Sequence, residues 1–339
     1  MLPRGTVRLL VRAGSRTLAD RSPHGRRVDF YVDLPLRETT VRVTAITARG
    51  RRTVVVPDVV GLPRAARPRG ARAHQSGALI RRLRLLRSSF AGTSSAYVED
   101  LSTGAGAAWN ARARLPAAST LKVAIAVEVL RTASGKPPAD SALDRLLRAM
   151  LVDSSNDAAN ALEVYLAGST SGGGARVDSL MRSLGLVDTE MFGGYLRGTA
   201  GRTPIPIEAD DQPRLPRGKY TTAHDLARLL AFVHLATEGR GLLAERLRRQ
   251  FTPSDARYLL YTLAHVHDQG KLGRFLRAPA LLVHKAGWIS QARHDAGLVY
   301  WPGGVFVAAV MTYGRGVGVA SDVLAGRVAR AALATFGDN

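Results

Sequence analysis

The chain has 339 residues, 46% of them hydrophobic, which is enough for one large packed domain and a small one. It contains no cysteine, so disulfides, thiolate metal sites and cysteine nucleophiles are excluded. Lys and Arg number 48 against 27 Asp and Glu, and the net charge of +21 favours attraction to any polyanion without selecting among them.

The sequence also bears on location, partners and cofactors. No stretch approaches the ~20 apolar residues of a membrane span, and Met1–Leu10 lacks the apolar region of a secretory signal. The protein is therefore cytoplasmic, or its export signal lies outside this chain. With 6% aromatic residues and no helix-turn-helix, zinc or stacking pattern, we expect no specific nucleic-acid partner. His265 and His267 lack a third ligand at metal spacing, so we expect no metal and no other cofactor.

Residues 1–62 have the pattern of a small all-β module. Apolar and polar residues alternate with a period of two in four segments, Thr6–Arg12, Arg27–Asp33, Thr39–Thr47 and Arg51–Val56. We interpret this module as β-sandwich-like. Residues 63–77 are rich in Pro, Arg, Ala and Gly and are predicted to form a basic linker.

A second domain is predicted over residues 78–339. It opens with a basic helix at Ala78–Ser88 and a hairpin that pairs Ser95–Asp100 with Ala107–Asn110. Leu121–Leu130 is apolar almost all round, which is typical of a buried central helix. Further helices are predicted at Ser141–Leu151, Asn156–Ala167, Ala175–Leu184, Thr222–Ala236 and Leu242–Gln250.

The end of the chain returns to strands. A strand pair at Ala296–Trp301 and Phe306–Tyr313 precedes a last helix at Ala320–Phe336. A hairpin, a long helical middle, and then strands and a helix predict an α+β domain, with one sheet built from both ends of the chain beside an all-helical lobe. A site would lie in the cleft between sheet and lobe.

Ser119 and Lys122 form the first chemical motif. They stand where a loop enters the predicted buried helix, and a spacing of three places both side chains on one helix face. A serine needs a base to become nucleophilic, and a buried lysine at a helix N-terminus can lose its proton, whereas arginine cannot. An N-cap serine with a surface lysine is the alternative. Lysine is scarce here, since the chain has only five: Lys122, Lys136, Lys219, Lys271 and Lys285.

Two further motifs carry polar groups at element ends. Ser154 and Asn156 begin a predicted helix, where the hydroxyl could pass a proton to a leaving group and the amide could orient a substrate carbonyl. Ordinary helix capping is the alternative. Lys285 and Gly287 precede the terminal strand pair. A permanently charged Lys285 would sit beside the nucleophile, and Gly287 would let a substrate backbone lie against the strand edge. An edge-protecting lysine is the alternative there.

The three motifs together, in this order, resemble the signature set S-x-x-K, S-x-N and K-[TS]-G of the class A β-lactamase and penicillin-binding protein superfamily. The resemblance covers residues 96–336 and includes LPAASTLKVAIAVEVL and SSNDAANALE. It implies an antiparallel sheet flanked by N- and C-terminal helices, with an all-helical lobe, preceded here by the small all-β module.

The resemblance also implies roles for individual residues. Ser119 would be the acylated nucleophile, Lys122 the base and Ser154 the proton shuttle. Substrate would be held by the remaining site residues: Asn156 as amide ligand, Lys285 as electrostatic partner, Gly287 at the strand edge, the Trp288 N–H as second oxyanion donor and Arg293 as carboxylate ligand.

The sequence departs from the class A pattern at three places. Ser155 replaces the usual Asp, and Ala286 replaces a hydroxyl residue. The slot for the carboxylate that activates the deacylating water falls at Tyr195, and Glu190 or Glu208 are the nearby candidates to replace it.

Three functions remain open. The first is β-lactam hydrolysis through an acyl-enzyme, and the second is D-Ala-D-Ala peptidase or wall amide hydrolysis of the penicillin-binding-protein kind. The third is a catalytically silent protein that binds an anionic cell-wall polymer. We expect a monomer that acts outside the cytoplasm, secreted, periplasmic or associated with the cell wall, on a small β-lactam or a peptidoglycan peptide.

Overall fold

Two units of structure follow each other along the chain, residues 1–64 and 65–339. The computed structural model describes residues 2–29, 31–63, 70–133, 135–196, 204–205 and 215–337.

The N-terminal unit is one antiparallel sheet, in the order β2-β1-β3-β4. Its strands are β1 (Thr6–Ala13), β2 (Arg16–Arg21), β3 (Glu38–Thr47) and β4 (Gly50–Val60). The all-β prediction for this module is confirmed, but its described strands form a single sheet rather than the two facing sheets of a sandwich.

The strand predicted at Arg27–Asp33 is wrong, since the second strand is β2. A two-residue turn, with Gly14 at φ +55°, brings Arg16 directly opposite Ala13. Strand β2 has little apolar alternation and pairs with β1 because of the local turn. Hydrophobic periodicity alone could therefore not predict this strand.

The second unit is α+β, as predicted. Its strands are β5 (His74–Gln75), β6 (Thr93–Asp100), β7 (Ala105–Trp109), β8 (Leu115–Pro116), β9 (Pro204–Ile205), β10 (Leu215–Arg217), β11 (Tyr220–Thr221), β12 (Leu281–Ile289), β13 (Ala292–Trp301) and β14 (Gly304–Tyr313). Its helices are α1 (Gly77–Ser88), α2 (Lys122–Ala133), α3 (Ala142–Leu151), α4 (Asn156–Ala167), α5 (Thr170–Ser183), α6 (Ala223–Ala236), α7 (Gly241–Arg246), α8 (Pro253–Leu263) and α9 (Gly318–Gly337).

Both ends of this unit contribute to one six-stranded sheet, in the order β12-β13-β14-β6-β7-β5. The pairs are antiparallel except for the short β5, which runs parallel to β7. The last residues of the segment predicted as a linker therefore belong to the sheet, because β5 pairs there and Ser76 caps α1.

Helices cover the two faces of this sheet. The terminal helices α1 and α9 pack on each other, α1 against β7 and α9 against β13 and β14, while α6 packs against β6, β13 and β14. Trp301, Phe306 and Phe336 form an aromatic cluster in the core shared with α9. Helices α2 to α5 and α8 make up the helical lobe.

The predicted buried helix is confirmed as α2. Every residue from Lys122 to Leu130 is buried, and a 3₁₀ turn over Ala118–Leu121 leads into it. The helix α8 was missed, although its start carries a recognisable signal. Thr252 and Asp255 form a capping box around Pro253.

Helix α5 lies directly on the backbone of α4, the helix that carries the second motif. A Cβ atom added at Gly173 would lie 2.4 Å from the Glu163 carbonyl oxygen. The glycine therefore allows a close approach that fixes α4 in the lobe.

We expect Gly173→Ala to destabilise the protein by about 1–3 kcal/mol, because the new methyl group must displace the α4 backbone. This exceeds the gain of about 1 kcal/mol from replacing a helical glycine by alanine. Denaturant unfolding measures the change. Gly318→Ala is the matched control, since a Cβ there meets nothing within 4 Å. A Gly173→Ala protein as stable as the wild type would contradict this packing.

Candidate active site

Lys122 lies at the centre of a polar cluster buried at the start of α2. Its side chain has no solvent exposure. Its Nζ donates to the Ser154 carbonyl oxygen at 2.6 Å and to Asn156 Oδ1 at 2.8 Å, and lies 3.4 Å from Ser154 Oγ. The first two predicted motifs are therefore in direct contact.

Ser119 sits in the 3₁₀ turn that enters α2, and its side chain is half-buried. The preceding residue, Ala118, has φ +47°, a left-handed conformation that is unfavourable for a residue with a Cβ. Strain of this kind persists only where the surrounding structure imposes it. The turn that presents Ser119 is therefore held in place by its neighbours.

Two contacts hold the loop before Ser119. Strand β8 pairs with β11, and the Ala117 N–H donates to the Lys219 carbonyl at 2.9 Å. On the other side, His294 Nε2 donates to the Pro116 carbonyl at 2.7 Å, while its Nδ1 accepts from the Thr312 N–H. Burial lowers the pKa of His294 to about 4, so the ring is neutral and acts as a rigid link between β13 and the loop.

The neighbouring residues Ser154 and Ser155, just before α4, make different contacts. Ser155 caps the helix, its Oγ accepting from the Ala158 N–H at 3.1 Å. The helix-cap alternative thus applies to Ser155. Ser154, at φ +58°, is turned toward the two lysines instead.

Lys285 reaches the same cluster from the sheet. Its Nζ donates to Ser154 Oγ at 2.9 Å and to the Ala286 carbonyl at 3.1 Å. The side chain is 2% exposed. An edge-protecting lysine would point to solvent, so that alternative does not describe Lys285.

Gly287 brings strand β12 against the turn that carries Ser119. A Cβ atom added at Gly287 would lie 2.7 Å from the Ser119 nitrogen. Because side chains alternate along a strand, Lys285 and the vacant Cβ position of Gly287 face the same side. The next residue, Trp288, is 66% exposed, and its strand is the outer edge of the sheet.

Burial and like charge both lower the pKa of Lys122 and Lys285. Burial, reinforced by the neighbouring Lys285, lowers the pKa of Lys122 to about 7, against an opposing effect of Glu163. Burial lowers the pKa of Lys285 to about 8, while Asp295 and Asp268 raise it. Lys122 can therefore exchange its proton near neutral pH, whereas Lys285 remains mostly protonated there.

Tyr195, the residue on which the sequence resemblance puts the class A carboxylate slot, is held by Asn160 of α4. Its backbone N–H donates to Asn160 Oδ1 at 2.6 Å, and its carbonyl accepts from Asn160 Nδ2 at 3.0 Å. The ring is buried, with its centroid 4.6 Å from Lys122 Nζ and 4.9 Å from Lys219 Nζ. One aromatic ring thus lies within cation–π distance of two amines.

Two residues of this cluster were missed by the sequence analysis. Glu163 is fully buried on α4, and Lys219 donates to the Gly194 carbonyl at 2.8 Å. Both had a signal in the sequence. Asn156, Asn160 and Glu163 follow the i, i+4, i+7 spacing of one helix face, and Lys219 is one of the five lysines in an arginine-rich chain.

The remaining predicted residues stand apart from Lys122 in their contacts. Arg293 donates to Asp322 Oδ2 at 2.7 Å, so its guanidinium already has a carboxylate partner. Glu190 forms backbone bonds with Tyr220 and a side-chain hydrogen bond with the same residue. Glu208 lies outside the described residues.

The described part of the chain holds no group of three or more His, Asp or Glu side chains arranged to bind a metal ion. Across the same residues, no helix has both the length and the apolar character needed to span a membrane.

The cluster combines the Ser154 hydroxyl with two amines of lowered pKa, next to the strand edge at Gly287 and the turn that carries Ser119. A serine beside a neutral amine can attack a carbonyl, and backbone N–H groups at a helix start can stabilise the resulting oxyanion. Chemically, the arrangement suits acyl transfer.

Comparison with known proteins agrees with this geometry. The sequence model described as the Beta-lactamase enzyme family matches residues 78–139 and 134–336. No curated protein sequence matches the chain significantly.

Solved structures share the fold at low identity. PBP-A has a TM-score of 0.63 at 21% identity, over 79% of this chain and 99% of its own. A β-lactamase from Streptosporangium roseum has a TM-score of 0.59 at 22% identity, over 78% of this chain and 100% of its own. A class A β-lactamase representative from Bacteroides cellulosilyticus has a TM-score of 0.61 at 18% identity, over 77% of this chain and 98% of its own. The family match and the shared fold together show that this chain is a divergent member of the β-lactamase enzyme family.

Proposed function

We propose that the protein is a serine hydrolase that forms an acyl-enzyme at Ser119 and acts on the amide of a β-lactam. The observation that carries this proposal is the convergence of Lys122 and Lys285 on Ser154 Oγ, at 3.4 and 2.9 Å. These three residues lie on separate elements and, in the case of Lys285 and Ser154, 131 positions apart. Independent caps and surface lysines would not converge in this way.

In the proposed acylation, the Lys122 amine takes the proton of Ser119 Oγ while that oxygen bonds to the substrate carbonyl carbon. The backbone N–H groups of Ser119 and Trp288 would stabilise the oxyanion. The carbon–nitrogen bond then breaks, and the leaving nitrogen takes the proton of Ser154, which the lysines replace. Asn156, Lys285 and the open edge at Gly287 would hold the substrate, and a shift of Arg293 from Asp322 would let it bind a substrate carboxylate.

A second candidate is slow turnover of the penicillin-binding-protein kind, on a D-Ala-D-Ala-type peptide or a wall amide. It is favoured by Tyr195, an aromatic residue where a deacylating carboxylate would be needed. A variant of the neighbour PBP-A was solved as an acyl-enzyme complex with penicillin G. Both substrates lie outside the cytoplasm, so we propose an extracytoplasmic location. A silent protein that binds an anionic wall polymer is the third candidate.

We expect a penicillin to add its mass to the wild-type protein and not to Ser119→Ala, because only the hydroxyl can be acylated. Intact-protein mass spectrometry after brief incubation measures the adduct, and a chromogenic cephalosporin measures turnover. A lasting adduct without turnover selects the penicillin-binding-protein-like enzyme, and turnover selects the lactamase. If neither occurs with any substrate, the silent-binder candidate replaces the proposal.

We expect the acylation rate to fall as pH drops below about 7, since Lys122 must be a neutral amine to accept the serine proton.

Lys122→Arg should lower the acylation rate at least ~100-fold, because arginine stays protonated. Stopped-flow or quenched mass measurements give the rate. Lys136→Arg is the control of the same type and should acylate normally. Equal rates for both variants would exclude Lys122 as the base.

A further inference from the structure

The N-terminal sheet has one buried face and one open face. Side chains alternate between the two faces along each strand, and the buried apolar residues all lie on the same one. They are Leu9, Val11, Val41 and Ala45. On the other face Val55 is 52% exposed, and no second sheet lies in the described part of this unit. This face is therefore accessible to a partner.

Arginines dominate the open face. The strand register places four of them there, on three neighbouring strands, and all four are exposed. They are Arg8 and Arg12 on β1, Arg42 on β3 and Arg51 on β4, and together they form the arginine face. Arg12 lies directly opposite Arg42. Like charges in this position destabilise a sheet, so the pairing costs stability unless an anion lies against both guanidinium groups.

Few carboxylates compensate the charge of the arginine face. Asp20 accepts from Arg8 Nε at 2.7 Å, and Arg12 acts on the same carboxylate electrostatically. Among the residues that the structure describes, no carboxylate forms an ion pair with Arg12, Arg42 or Arg51. Residues 1–64 as a whole contain thirteen arginines and five acidic residues. The open face therefore carries a net positive charge that favours an anionic ligand.

The geometry of the face favours an extended ligand with several charges. Arg8 and Arg12 are four residues apart on one strand, which corresponds to about 13 Å. Thr44 and Thr53 lie between the two ends of the face, with their hydroxyl oxygens 2.9 Å apart. One small anion cannot reach both ends of this surface, whereas a chain of repeating anionic groups can.

The residue types indicate which anion the face would bind. A guanidinium group presents paired N–H donors that match the oxygens of a phosphate. None of the four strands contains Phe, Tyr or Trp, so the face has no aromatic side chain on which a nucleobase could stack. A phosphate polymer without bases therefore fits the face better than a single-stranded nucleic acid.

We propose that the arginine face binds an extended polymer of repeating phosphate groups that carries no aromatic bases. This gives the N-terminal unit a binding function of its own. The proposal does not depend on the chemistry proposed at Ser119.

The test removes three charges from the face of the full-length protein. The probe is inorganic polyphosphate with a fluorescent end label, and fluorescence anisotropy at several salt concentrations gives its affinity. We expect Arg12→Gln/Arg42→Gln/Arg51→Gln to weaken binding at least ~10-fold near 0.1 M salt. The slope of log affinity against log salt concentration should fall by about 2, because each lost phosphate contact removes ~0.7. An unchanged affinity and slope would overturn the proposal.

A matched control separates the face from the overall charge of the protein. Arg16, Arg21 and Arg52 pair with residues of the buried face and are also exposed. Arg16→Gln/Arg21→Gln/Arg52→Gln has the same net charge as the test variant and should bind polyphosphate like the wild type. An equal loss in both variants would mean that charge alone attracts the polymer, and would overturn the proposed face.

Denaturant unfolding shows whether the test variant is folded. We expect it to be at least as stable as the wild type, because the repulsion between Arg12 and Arg42 is gone. If the triple variant does not fold, Arg42→Gln alone should lower the salt slope by about 0.7. An unchanged slope in Arg42→Gln would then contradict the proposal.

A single-stranded DNA of the same charge tests the chemistry of the ligand. Polyphosphate should bind at least as tightly as the DNA, because the face offers no stacking surface. Tighter binding of DNA that is lost in the test variant would assign the face to nucleic acid and overturn a polymer without bases. Ser119→Ala should bind polyphosphate like the wild type, so this test holds even if no acyl-enzyme forms.

Discussion

The arrangement of this site depends on the burial of the Lys122 amine. Lys122 is the first of nine consecutive buried residues of α2, so its amine must find partners inside the protein. Those partners are the Ser154 carbonyl and Asn156, which tie the start of α4 to the start of α2. Burial also lowers the pKa of the lysine, so the same packing that positions the amine lets it release its proton near neutral pH.

The backbone around Lys122 is strained at two residues. Ala118, just before Ser119, and Ser154, which contacts Lys122, both have left-handed conformations, at φ +47° and +58°. Gly287 lets the edge strand approach the Ser119 nitrogen, and neutral His294 links the sheet to the preceding loop. Strain and buried polar groups are concentrated where acyl transfer is proposed, which is typical of functional sites.

The scarcity of carboxylates around the site bears on its chemistry. Lys122 and Lys285 both contact Ser154, the Tyr195 ring lies near Lys122 and Lys219, and the nearby Arg293 is paired with Asp322. Such a site favours the attack that forms an acyl-enzyme, and a base for the second water-dependent step is less evident.

The sequence by itself determined the α+β class, the buried helix after Ser119 and the three motifs, because helix periodicity, capping and residue chemistry are local properties. It also singled out lysine as the unusual cation of an arginine-rich chain. It could not find strand β2, which depends on a turn, or the parallel pairing of β5 within the supposed linker. Only the tertiary structure decided which groups meet: Lys122 and Lys219 at the Tyr195 ring, Ser155 as cap rather than Ser154, and Arg293 on Asp322. Burial and pairing join segments that are distant in the chain, and these contacts set the pKa values on which the proposed chemistry depends.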